Sequence, residues 1–160
     1  MMNVKIVALG KLKEPYLRDA CAEYQKRLQS FCRLQIAELT PCRLPDAPSD
    51  AQIADALDRE AEQIEKQIPS GALVYALCIE GKTLSSEQFS AQNEKAAVDG
   101  SGTLVFIIGS SFGLAERIKR RAQVRLSMSP MTFPHQLARV MLLEQIYRAF
   151  QIQSGGKYHK

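Results

Sequence analysis

The chain has 160 residues, 46% of them hydrophobic and 24% charged, which is the balance of an ordinary globular domain and excludes a fibrous or low-complexity chain. At this length roughly 70% of the extended surface is buried on folding, so neither disulfide nor metal is needed as a staple. The net charge is +4, no apolar run approaches the roughly 18 residues of a membrane span, and polar residues interrupt the apolar stretch of Met1 to Lys13, against a secretory leader.

Val4 to Leu9 is a short apolar run ended by Gly10 and reads as a strand. Pro15 to Leu28 sets Leu17, Ala20, Cys21, Tyr24 and Leu28 at helical spacing. Leu34 to Leu39 alternates as a strand does, and Cys42 to Ser49, with Pro45 and Pro48, is a loop. Ser49 and Gln52 form a capping box for a helix with one apolar stripe (Ile53, Leu57, Ala61, Ile64, Ile68) and a charged opposite face. Pro69-Ser70-Gly71 ends it. Leu73 to Ile79 is continuously apolar, the mark of a strand covered on both sides. Ser85 or Ser86 caps the next helix, which closes at Gly100. Thr103 to Ile108 is a second fully buried strand, ending at Gly109. A helix then starts near Leu114, Val124 to Ser127 is a short strand, and Pro130 and Pro134 frame a loop. The last helix runs from about Pro134 to Gln153, and Gly155-Gly156 releases a polar tail.

Strands and helices that alternate in this way define an α/β protein, a mainly parallel sheet with helices on both faces, in one domain over 1–160. The two most apolar strands, 73–79 and 103–108, belong at its centre. Open sheets of this class bind ligands at the carboxyl ends of their strands. That singles out Glu80-Gly81-Lys82, Gly109 to Gly113 and Met128 to Phe133.

The last helix is apolar nearly all round, with only Glu144 and Arg148 forming a polar seam. One face can cover its own sheet; the other calls for a partner, and a second copy of the chain is the simplest. Charge is uneven: from Leu114 onward nine Lys and Arg face two acids, whereas 12 face 15 before it. A basic C-terminal third suits a phosphate backbone, although a solvated helix face would carry the same residues. The four cysteines show no CxxC spacing and there are two histidines, so no metal site is expected and the thiols read as small reduced hydrophobes.

Two loops can carry chemistry. Gly109-Ser110-Ser111-Phe112-Gly113 offers close backbone approach and free N–H groups, though it is neither GxGxxG nor a Walker loop and a plain tight turn would look alike. Ser127 to His135 (SMSPMTFPH) is stiffened by prolines and lined by hydroxyls and thioethers, as a loop wrapping an adenine would be. An irregular connection is the alternative, with His135 a helix-start residue. No carboxylate pair, Ser-His-Asp order or Cys-His pair is present, so an enzyme built this way works by orientation and electrostatics on a reactive cosubstrate.

Taken together, LCIEGKTLS (Leu77 to Ser85), Ile108-Gly109 with Gly113-Leu114, LSMS through FPHQ (Leu126 to Gln136), Arg139 with EQIYRA (Glu144 to Ala149), and Tyr158-His159-Lys160 resemble the RlmH family of the SPOUT superfamily over the whole chain. The resemblance implies a C-terminal trefoil knot, which ordinary topology rules would not suggest. It implies a cytoplasmic homodimer that methylates N3 of a pseudouridine in helix 69 of 23S rRNA, on assembled ribosomes. S-adenosylmethionine would contact Leu77, Gly109 and the run Met128, Ser129, Pro130, Met131, Thr132 and Phe133. Candidates for removing or stabilising the N3 proton are His135, Arg139, Tyr158 and His159, with Arg148, Lys157 and Lys160 toward RNA. A ribosome-assembly module that keeps the fold, or a SPOUT enzyme acting on tRNA, are the competing readings. One departure stands out: the family often has a second glycine where Ser110 stands, and a serine forced to positive φ there would cost about 1 kcal/mol.

Overall fold

Capping chemistry starts two of the helices. In the computed structural model, which describes residues 1–160, Ser49 accepts from the Gln52 amide while the Gln52 side chain accepts from the Ser49 amide. Ser85 and Gln88 repeat the arrangement. The elements in chain order are β1 (Met2–Leu9), α1 (Pro15–Leu28), β2 (Cys32–Leu39), α2 (Asp50–Glu65), β3 (Leu73–Thr83), α3 (Ser86–Val98), β4 (Thr103–Ile108), α4 (Glu116–Arg121), β5 (Val124–Ser127) and α5 (His135–Gln153). All ten are those expected from the sequence.

The strands form one sheet in the order β2-β1-β4-β3-β5, every neighbouring pair parallel. Side-chain alternation divides the core into two layers. Ile6, Ala8, Tyr75 and Phe106 pack against α1, α3 and α5, while Val7, Leu9, Val105 and Ile107 pack against α2 and α4. β4 is central, as expected, and its residues 104–108 are all buried. Tyr75 stacks on Phe106 with ring centroids 4.7 Å apart, and its hydroxyl donates to Asn93 Oδ1 at 2.6 Å.

β3 departs from the sequence reading. It does not stop at Ile79 but continues to Thr83 through a register shift, in which Leu77 and Lys82 both face Leu126 of β5. Cys78 to Gly81 are thereby thrown out of the ladder. Gly81 lies so close to β5 that a Cβ there would sit 2.7 Å from the Arg125 carbonyl. A bulge of this kind re-aims side chains, and here it aims them at the sheet's carboxyl edge. The Ser110 expectation is also corrected. Every residue with positive φ is a glycine, so Ser110 is unstrained and carries no such cost.

α5 lies over α1 and α3, burying Leu142, Leu143, Ile146 and Ala149. The expected seam forms on it, with Arg148 Nη2 donating to Glu144 Oε1 at 2.5 Å. No helix is long and apolar enough to cross a membrane. All four thiols are free; Cys21 and Cys32 are buried, and burial pushes Cys32 up to about 11. Alkylation of the native protein at pH 8 is therefore expected at Cys42 and Cys78 first, and at Cys21 and Cys32 only on unfolding, as peptide mass analysis would read.

Candidate functional site

A cleft of about 760 Å³ opens at the carboxyl ends of β3, β4 and β5. Three segments build it. The β3 bulge contributes Leu77, Cys78, Ile79 and Glu80. The loop after β4 contributes Gly109 to Gly113, and the segment after β5 contributes Met128, Ser129, Met131, Thr132 and Phe133. The floor is apolar, with Leu77, Ile108 and Leu126 beneath it. Glu80 and Lys119 form an ion pair at the rim, and that hydrogen bond holds the Glu80 carboxyl below the usual carboxylate range.

The two loops hold their shapes by local hydrogen bonds. The Gly113 amide donates to the Ser110 carbonyl at 2.9 Å, closing a tight turn. A Cβ on Gly109 would collide with Gly113, whose carbonyl carbon would be 2.6 Å away. In the second loop the Ser127 hydroxyl donates to the Ser129 carbonyl at 3.1 Å, and the Ser129 hydroxyl accepts from the Met131 amide at 3.0 Å. Pro134 then starts α5 and brings His135 to the cleft edge, half-buried. Burial, with the positive charges of Arg139 and Lys13, holds His135 below the ordinary histidine range, so its ring is neutral at physiological pH.

Of the residues singled out by the sequence, Leu77, Gly109, Met128, Ser129, Met131, Thr132, Phe133 and His135 line this one cleft. Pro130 stands exposed on the loop and is not among its walls. Arg139 is 3% exposed and turned away from the cleft; it donates to Glu38 Oε2 at 2.6 Å and to the Gly10 carbonyl at 3.0 Å. The tail folds back on its own α5 and α3. Tyr158 donates to Glu144 Oε1 at 3.1 Å, and its ring lies 4.7 Å from the Arg148 guanidinium. Burial, with hydrogen bonds to Tyr24 and Glu144, pushes the Tyr158 hydroxyl up to about 12. His159 contacts Arg148 through Nδ1 at 3.1 Å and Glu87 through Nε2 at 2.6 Å. Lys157 and Lys160 are exposed. Tyr158 and His159 are thus not among the residues lining the cleft of their own chain. Between tail and cleft lies a second groove of about 580 Å³, edged by Glu144 and Met141 and sharing Leu126 and Met128 with the cleft.

The sequence reading missed Glu60, which is 5% exposed on α2 and hydrogen-bonded to Ser110. A signal was present: Glu60 falls between Leu57 and Ile64, three and four residues away, on the apolar stripe and not on the charged face.

Comparison with known proteins agrees with this geometry. A family described as "Predicted SPOUT methyltransferase" matches residues 2–159. The "Ribosomal RNA large subunit methyltransferase H" of Streptococcus equi subsp. zooepidemicus is 48% identical over 159 residues, 99% of this chain and 100% of that protein. The protein of the same name from Bifidobacterium animalis subsp. lactis is 49% identical over 159 residues, again 99% and 100%. Among solved structures, a probable methylase family protein from Haemophilus influenzae superposes with a TM-score of 0.56 at 15% identity, covering 99% of this chain and 71% of that one, a likeness of fold. With a match along its whole length and a parallel sheet that opens its cleft at the expected loops, this chain belongs to the RlmH family of SPOUT methyltransferases.

Proposed function

We propose that this protein is an S-adenosylmethionine-dependent methyltransferase acting on N3 of a pseudouridine in helix 69 of 23S rRNA, on assembled ribosomes. The observation that carries the reading is the cleft, in which all but one of the residues expected to hold the cosubstrate converge. The fit is chemical as well. Gly109 lets the Gly113 backbone close tightly on it and so shapes the loop wall, Met128 and Met131 offer soft thioethers, and the walls suit an adenosine more than a metal. Bound there, S-adenosylmethionine supplies an electrophilic methyl group. Relatives matched along their full length carry the name of a large-subunit rRNA methyltransferase.

The residues then divide the work. The N3 proton of pseudouridine lies between two carbonyls and must leave as the methyl arrives. A neutral His135 at the cleft edge can accept it. Tyr158 and His159 rest on α5 of their own subunit, beside the groove that adjoins the cleft through Met128. Membership of the family implies a cytoplasmic homodimer, each subunit a single domain over 1–160, and in that dimer the tail of one copy serves the cleft of the other. The half-exposed apolar side chains of α5, Val140 and Met141, are the surface for that second copy. Lys157 and Lys160, with Arg148 beneath the tail, supply positive charge toward RNA phosphate. Arg139, buried on Glu38 and Gly10, anchors the start of α5 and so holds His135 in place. Family membership carries the C-terminal trefoil threading, and the parallel order β4-β3-β5 accommodates it.

The test supplies S-adenosylmethionine with a labelled methyl group to ribosomes from a strain lacking this activity, beside free rRNA and tRNA. Label in large-subunit rRNA of assembled ribosomes is the expected result; label in tRNA alone, or none anywhere, overturns the proposal. Removal of Tyr158 to Lys160 is expected to end methyl transfer and leave S-adenosylmethionine affinity unchanged. A fully active truncation would remove the tail from the mechanism.

A further inference from the structure

Glu60 stands out among the buried polar groups. Its side chain sits under the sheet's carboxyl edge at 5% exposure, yet it forms no ion pair; its neighbour Arg59 pairs with Asp55 instead. A carboxyl group buried in this way is costly unless its oxygens are satisfied by hydrogen bonds. Both are. Oε2 accepts from the Cys42 amide at 2.9 Å, and Oε1 accepts from the Ser110 hydroxyl at 3.0 Å. One side chain on α2 therefore ties the loop between β2 and α2 to the loop after β4.

Ser110 is no ordinary surface hydroxyl. It follows Gly109 directly, lines the cleft, and gives its carbonyl to the Gly113 amide that closes the turn. No residue of that loop other than Gly113 has positive φ, and the hydroxyl gives the loop a fixed polar contact with α2 beside the packing of Leu114. The hydroxyl is what the second glycine of the related pattern would lack, and Glu60 is what that hydroxyl engages.

We propose that Glu60 is a positioning residue of the cleft, which through the Ser110 hydroxyl fixes the Gly109–Gly113 wall against the β2–α2 loop so that the wall is formed before the methyl donor arrives. This rests on the reading that the cleft takes S-adenosylmethionine. Glu60 touches no reacting group, so its loss acts on cosubstrate binding and not on the chemical step.

The experiment compares Ser110→Ala, Ser110→Thr, Glu60→Gln and the double variant Glu60→Gln/Ser110→Ala in the full chain. Each is measured for S-adenosylmethionine affinity by titration calorimetry well below its thermal midpoint, for KM and kcat on ribosomes, and for hydrogen exchange at the Gly113 amide without ligand. Loss of one hydrogen bond to a buried carboxyl predicts affinity lower by about tenfold in Ser110→Ala, and a smaller loss in Glu60→Gln, whose amide can still donate to the Ser110 hydroxyl but no longer makes a charge-assisted bond, with KM raised and kcat kept. The double variant is expected to be no worse than the weaker single, because the two side chains act as one unit. Ser110→Thr retains the hydroxyl and is expected to bind as the parent does. Gly113 exchange is expected to quicken in Ser110→Ala and in Glu60→Gln. Unchanged affinity in Ser110→Ala and Glu60→Gln, strictly additive losses, or a fall in kcat at constant KM would overturn the proposal. Should the parent protein bind no S-adenosylmethionine, the function proposed above falls, while unchanged Gly113 exchange would still overturn the brace and quickened exchange uphold it.

Discussion

Gly109→Ala is expected to weaken S-adenosylmethionine binding by about 10- to 100-fold, because overpacking of about 1–3 kcal/mol falls on the wall that meets the ligand and each 1.4 kcal/mol is tenfold. The reason is steric. Its Cβ would come within 2.6 Å of the Gly113 carbonyl carbon and 3.0 Å of Leu114 Cγ. The close atom is backbone of a closed turn, held by the Gly113 amide on the Ser110 carbonyl, so it cannot rotate aside. The turn must open, at about 1–3 kcal/mol of stability for an overpacked site. Titration calorimetry with S-adenosylmethionine reads the first effect and thermal unfolding the second. Gly102→Ala is the control. Nothing lies within 4 Å of a Cβ at that position, so binding and stability are expected to stay near those of the parent.

Arg139→Met should destabilise the fold by about 1–3 kcal/mol, since it leaves the Gly10 carbonyl and the partly exposed Glu38 without their partner. The guanidinium is 3% exposed and holds both Glu38 and the Gly10 carbonyl, which joins β1, β2 and the start of α5. Urea unfolding at neutral pH measures the loss. The variant also has a signature in pH. His135 lies below its ordinary pKa of 6.5 in the folded chain, through burial first and then Arg139 and Lys13. The unfolded chain therefore binds the proton more readily, and His135 contributes stability that is present above pH 6.5 and lost as pH falls through the folded-state value. Without Arg139 the His135 pKa rises toward 6.5, and this part of the acid sensitivity shrinks. NMR titration of the His135 ring follows it directly. Because Arg139 holds His135 in place without lining the cleft, kcat of the folded variant is expected to fall while S-adenosylmethionine affinity is kept.

Local chemistry is what made the elements readable. Ser49 with Gln52, and Ser85 with Gln88, mark two helix starts that need nothing beyond four residues to form. The apolar runs of β3 and β4 predicted burial on both sides; the sheet delivers it along β4 and for Val74 to Ala76, while Ile79 is left exposed where β3 bulges. What could not be read locally is what depends on distant chain. β1 owes its place between β2 and β4 to partners such as Cys32 for Met2 and Leu104 for Val4. The β3 bulge depends on Gly81 meeting the backbone at Arg125, a contact 44 positions along, so Glu80-Gly81-Lys82 looked like a loop after a finished strand. The cleft loops were legible because glycines and prolines shape them; Glu60 carried a signal in its place on the apolar stripe, but its partners Ser110 and Cys42 are brought to it only by the fold. The tail was legible only by resemblance: nothing in the spacing of Tyr158 and His159 foretells Glu144 and Glu87 as their resting partners.

The position of β4 has a consequence for how the chain assembles. β1 and β2 are joined by a short helical crossover, whereas β3 has no parallel neighbour until β4 or β5 exists. β4 is the strand that pairs with both β1 and β3, and it is synthesised after residue 102. Pairing Ile6 with Phe106 closes a loop of 100 residues, a cost incurred before any of its contacts are gained. A chain halted before Thr103 holds a two-stranded edge and an unattached third strand whose apolar faces have no cover. The sheet becomes one structure when the fourth strand arrives, and folding during synthesis is accordingly late and abrupt.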